Sequence, residues 1–82
     1  MNGFDAAKME ILEWASEALQ VPIEEIDLTK PLSEIGIDSL DAVHMIATIE
    51  SIIKKELPED VIQRVSCLND IFDMMREKMA AA

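Results

Sequence analysis

Eighty-two residues, half of them apolar and with a net charge of −10, describe one small acidic domain, because a chain this short buries only about 60% of its unfolded surface and cannot wall a deep catalytic cleft. Such acidity disfavours nucleic acid and anionic membranes and speeds encounters with basic patches on proteins. No segment approaches membrane-spanning length and no basic region precedes an apolar run at the N-terminus, so a cytoplasmic monomer with neither membrane nor nucleic-acid partner is expected.

From Phe4 to Leu19 the pattern predicts an amphipathic helix. Phe4, Ala7, Ile11, Ala15 and Ala18 recur at threes and fours, flanked by Leu12, Trp14 and Leu19, while Glu10, Glu13 and Glu17 gather opposite. Met9 falls on the polar side. The helix should stop near Gln20, since Pro22 disfavours helical geometry at Val21.

A long connection follows, to Ile37. Val21, Ile23, Ile26, Leu28, Leu32 and Ile35 are spaced through it, which predicts a loop pinned to the bundle rather than a disordered one. Short turns are expected at Pro22–Ile26 and Leu32–Ile35.

Gly36-Ile37-Asp38-Ser39-Leu40-Asp41 then tightens at a glycine and opens a second helix. Asp38 is a favourable N-cap, and Asp41 places a carboxylate in the first turn, where the helix dipole favours it. Ser39 takes the first helical position, its hydroxyl at the mouth of the helix. An oxygen there suits attachment of a phosphate, because free N–H groups and the dipole both favour anions. On composition alone, Ser39 would be an ordinary helix-start serine.

The second helix is expected from Ser39 to about Lys55, with a core stripe of Ala42, Met45, Ile46, Ile49 and Ile53. Leu40, Val43 and Ala47 form an outer apolar seam beginning beside Ser39, which reads as a docking strip. Leu57-Pro58-Glu59-Asp60 separates this helix from a short one over Glu59–Val65. Ser66 would cap a last helix with an apolar stripe of Leu68, Ile71, Phe72, Met75 and Met79, and the trailing alanines should fray. The expectation is an all-α, small four-helix bundle with a long first loop and a short third helix, one domain over 1–82 with an ordered core of about 4–79.

The acidity belongs to the half of the chain that contains Ser39: residues 1–50 carry eleven acidic and two basic side chains, residues 51–82 six and five. With Phe4, Trp14 and Phe72 the only aromatics, the core must come from Ile, Leu, Val and Met, and the six methionines read as packing rather than a copper site. Cys67 is alone, which excludes an internal disulfide and suggests a small packing role. Hydrolase chemistry at Ser39 is excluded. His44, the only histidine, lies about 140° around the same helix, and no G-x-S-x-G elbow is present. His44 is expected to be solvated. No calcium loop or other metal site is spelled out, beyond diffuse cation binding to the acidic face.

The G-x-D-S-L-D stretch resembles the attachment motif of the acyl carrier proteins, and the resemblance extends from about Met9 to Met75 through helix spacing, the long first loop and the Leu57-Pro58-Glu59 turn. It implies that a phosphopantetheinyl transferase moves 4′-phosphopantetheine from coenzyme A onto Ser39, and that the protein carries acyl groups as thioesters without catalysing a reaction. It further implies that Asp38 helps engage the transferase and its metal, and that Leu40 packs against partner enzymes. Acyl-loading and acyl-transferring enzymes with basic docking patches would meet Leu40, Asp41, Val43, His44, Ala47 and Glu50. Carriers of this kind can shelter an acyl chain, for which Met45, Ile46, Ile49, Leu68 and Phe72 are candidate walls.

One departure bears on the pathway. The second helix of carriers in general fatty-acid synthesis is typically acidic along its outer face, whereas here Glu50 remains among His44, Ser51, Lys54 and Lys55. Fatty-acid synthesis and specialised acyl or polyketide synthesis therefore both stay open. An aminoacyl or peptidyl carrier, or an unmodified helical adaptor binding through the acidic face, are the alternatives.

Overall fold

The computed structural model describes residues 3–80. Helix α1 spans Gly3–Leu19, α2 Ser39–Ile53, α3 Val61–Arg64 and α4 Leu68–Ala80, with short 3-10 turns at Ile23–Glu25 and Leu32–Ile35 in the first loop. The all-helical bundle expected from the periodicity is what forms. Helices α1, α2 and α4 each pack against the other two, and α3 is a single turn.

The core follows the helical stripes. Ala7, Ile11, Leu12 and Ala15 of α1 meet Ala42, Met45 and Ile49 of α2 and Leu68, Ile71, Phe72 and Met75 of α4. Ile26, Ile37, Leu57 and Val61 complete it from the connections and α3. Met45 and Met75 are fully buried, whereas Met9 is exposed. Two cations extend the α1–α4 contact: Lys8 Nζ lies 5.2 Å from the Phe72 ring centroid, and the Arg76 guanidinium 4.6 Å from that of Phe4. Cys67 is half-buried.

Several details differ from the sequence expectation. Ala18 sits on the correct side of α1 but is exposed, because it lies in the last turn, just before the chain departs at Gln20. Ile46 and Ile53 are half-buried rather than fully enclosed. Helix α2 ends at Ile53, with Lys54 in the left-handed conformation (φ 57°) and its N–H donating to Glu50 O at 2.8 Å. Gln20 adopts the same conformation (φ 57°) after α1, where Val21 N–H reaches back to Ser16 O at 3.2 Å.

The third helix is shorter than Glu59–Val65. Pro58 contributes a carbonyl that accepts Val61 N–H at 3.1 Å, so a turn precedes the helix and Pro58 stands outside it. Ser66 is not the acceptor that caps α4. Its N–H and hydroxyl instead donate to Asp70 Oδ2 at 2.9 and 3.2 Å. The carboxylate one turn on thus gathers the helix entrance, as in half of a capping box. Of the trailing alanines, Ala80 ends α4, while Ala81 and Ala82 lie outside the described residues.

The middle of the first loop is tied down by two backbone bonds. Leu32 N–H donates to Ser66 O at 2.9 Å, and Asn69 N–H to Leu28 O at 3.1 Å. These bonds fasten the loop to the α3–α4 junction and hold one side of the region around Ser39.

Candidate functional site

Three consecutive local devices place Ser39. Gly36 ends the second 3-10 turn at φ 99°, where a β-carbon would be strained and would sit 3.2 Å from Leu19 Cδ2. Ile37 then drives its side chain into the core, 3% exposed, while its N–H donates to Leu32 O at 2.9 Å. With the chain anchored, Asp38 is extended (φ −87°, ψ −176°) and its Oδ1 accepts Asp41 N–H at 2.8 Å. Helix α2 therefore begins at Ser39, whose side chain is exposed.

The hydrogen bonds of this first turn leave room for an anion. Asp41 N–H goes to the Asp38 side chain and Ala42 N–H to the Asp38 carbonyl at 2.9 Å. Among the described residues, the N–H groups of Ser39 and Leu40 have no protein acceptor, and the helix dipole directs its positive end at them. A phosphodiester esterified to Ser39 fits this setting: an accessible hydroxyl, two free donors, and a neighbouring carboxylate already held by its own hydrogen bond.

The surface beside Ser39 is apolar. Leu40 is 67% and Val43 51% exposed, and Ala47 continues the strip in the open. Ile62 of α3 joins them at 37% exposed, a residue that the sequence reading did not single out. The signal was present: Val61 and Val65 take the inward side at i, i+4, which turns Ile62 about 100° away toward solvent. His44 is exposed and Asp41 half-exposed on α2.

Glu50 is less available than its place in the sequence suggests. Its Oε2 accepts Leu57 N–H at 2.7 Å in a half-buried setting, so it closes the α2–α3 connection. Met45, Ile49, Leu68 and Phe72 are between 0% and 2% exposed in the packed interior, whereas Ile46 lines a surface groove between α2 and α3.

Two carboxyls that frame the first loop are held below the ordinary aspartate value. The Thr29 hydroxyl, and then its N–H, stabilise ionised Asp27. Ser66 N–H does so for Asp70, helped by the Ser66 hydroxyl and by Cys67. Hydrogen bonds to the charged form outweigh desolvation at both.

Comparison with known proteins agrees with the geometry. The family described as phosphopantetheine attachment site matches residues 10–75. An acyl carrier protein of Phytoplasma mali (strain AT) is 34% identical over 68 residues, covering 82% of this chain and 81% of that protein. An acyl carrier protein of Guillardia theta is 31% identical over 65 residues, covering 76% and 80%.

Proposed function

The chain belongs to the acyl carrier protein family, whose prosthetic group is 4′-phosphopantetheine, and we propose that the group is attached here to Ser39. The observation that carries this assignment is the exposed Ser39 side chain at the first position of α2, beside two N–H groups without acceptors. When bound, the arm supplies a flexible tether whose thiol holds an acyl group as a thioester.

The residues around Ser39 divide the remaining work. Asp38 keeps the helix entrance open and offers its second carboxylate oxygen to the transferase and its metal. Leu40, Val43 and Ala47 supply the apolar contact for partner enzymes, with Asp41 and His44 at its border. Tethering raises the effective concentration of cargo at each docked active site, so the contact can be weak and still productive. Bond-making belongs to the partners and the protein is not itself an enzyme. Synthase enzymes and the transferase are the partners that the family implies, and basic patches on them complement the acidity of residues 1–50.

Shelter for an acyl chain is assigned to the space between Met45, Ile49, Leu68 and Phe72, with Ile46 at its outer side. The support is a methionine- and isoleucine-rich interior that can repack. An arm that ends in a free thiol suits a reducing compartment such as the cytoplasm.

Incubation with coenzyme A and a broad-specificity transferase tests the attachment. The wild-type chain gains the mass of the arm, and Ser39→Ala does not. A loaded wild-type chain offered fatty acyl and activated aminoacyl donors, and then a panel of elongation enzymes, separates the pathways. Acceptance of acyl groups and turnover by the elongation enzymes assign it to fatty-acid synthesis; acceptance without turnover assigns it to a specialised acyl pathway.

A further inference from the structure

Two grooves flank the first turns of α2, and their chemistry differs. The groove on the first-loop side, of about 500 Å3, has Ser39 on its edge and is lined by Leu32, Ser33, Ile37, Val65 and Ser66. The groove between α2 and α3, of about 470 Å3, is lined by Val43, Ile46, Ala47 and Val61 and rimmed by Glu50, Glu56 and Glu59. Ile62 lines both, so its side chain stands as a ridge between them.

We propose that the first-loop groove is the resting seat of the unloaded pantetheine arm, and that Ile62 keeps the arm from crossing into the α2–α3 groove; this rests on Ser39 being the attachment residue. A ligand tethered to Ser39 enters the first-loop groove directly, since Ser39 lines that groove and not the other. The polarity also matches. A pantetheine arm combines methyl-bearing with amide and hydroxyl segments, and the lining here combines Leu32, Ile37 and Val65 with the hydroxyls of Ser33 and Ser66.

Charge separates the two grooves further. Glu50, Glu56 and Glu59 line the α2–α3 groove, whereas Asp38 is the one acid lining the first-loop groove, so seating the neutral pantetheine in the latter covers fewer charged groups. The seat is also preformed. The Leu32–Ser66 backbone bond joins two of its lining residues, and the Asn69–Leu28 bond ties the first loop to α4 as well, so little ordering is needed to receive the arm.

The experiment compares amide and methyl NMR spectra of the full chain before and after transfer of the arm, with intact mass read on the same samples. Absence of a mass gain would overturn the attachment at the outset and leave the groove with nothing to seat. With complete loading, the proposal expects shift changes at Leu32, Ser33, Val65 and Ser66, and nuclear Overhauser contacts from the arm's geminal methyls to Ile62 and Val65. Ile62→Ala, a surface change that leaves the bundle folded, should extend the changes to Val43 and Ala47. A fully loaded chain whose changes stop at residues 38–41, or fall on Val43, Ile46 and Ala47 in the wild type, overturns the seat. An Ile62→Ala spectrum with no spread overturns the ridge.

Discussion

Glu50 Oε2 accepts the Leu57 N–H at 2.7 Å, so the acid in the last turn of α2 fastens the connection that leads to α3. A charged, half-buried acceptor of this kind contributes about 1–3 kcal/mol. Glu50→Ala should therefore lower unfolding stability by about 1–2 kcal/mol, and Glu50→Gln, which keeps an acceptor, by less. Amide exchange at Leu57 should accelerate in the alanine variant. A Glu50→Ala chain of unchanged stability and unchanged Leu57 exchange would leave the residue with a docking role alone.

The two roles assigned to Asp38 can be separated by substitution. Asp38→Ala removes the acceptor of Asp41 N–H and should cost about 1 kcal/mol. Asn is an equally good cap, so Asp38→Asn should preserve stability. Both should slow arm transfer, because neither offers a carboxylate to the transferase metal. Transfer at the wild-type rate in Asp38→Asn would confine the residue to capping.

Exposure predicts opposite outcomes for two apolar residues of α2. Leu40 is 67% exposed and Met45 0%. Leu40→Ala should leave stability within about 0.5 kcal/mol while reducing acyl transfer by partner enzymes through a higher apparent KM. Met45→Ala should cost about 2–5 kcal/mol in chemical unfolding. Equal stability losses at the two positions would contradict the assignment of Leu40 to the docking strip.

Much of this architecture could be read from spacing, because three helices carry uninterrupted apolar stripes. What escaped was decided by contacts between distant segments or by backbone geometry without a characteristic residue. Gln20 and Lys54 occupy the left-handed cap position that glycine usually marks, and neither advertises it. Ser66 and Asp70 form a pair in which the acceptor is the later residue, whereas a serine before an apolar stripe suggests the reverse. Ile37 read as a motif letter, yet its burial fixes where Asp38 and Ser39 emerge. Ser39, Asp38 and Leu40 were legible because one short helix entrance arranges them. The exposure of Ile62 was signalled by the spacing of Val61 and Val65, whereas the Glu50–Leu57 bond was not legible, since it depends on how the connection to α3 returns toward α2.

Acid should loosen the loop frame in a defined direction. Asp70 is held below the ordinary value of 3.8 by Ser66 N–H, so its contribution is fully present above 3.8 and is lost as pH falls through the lower folded-state value. The stability difference between the wild type and Asp70→Asn should accordingly shrink as pH drops below 3.8. Taking the difference removes the general relief of repulsion as the other carboxylates protonate. A difference that stays constant through this range would contradict the assignment of the Ser66–Asp70 bond to the folded state.

The attachment residue is tested most directly by fragmentation mass spectrometry of the chain isolated from its native host, which locates the added group on a single side chain. Ser33 and Ser66 are exposed hydroxyls lining the same groove as Ser39, so they are internal controls. The account predicts a 4′-phosphopantetheinyl group on Ser39 alone. Detection of the group on Ser33 or Ser66, or a host-derived chain that carries none, would contradict it.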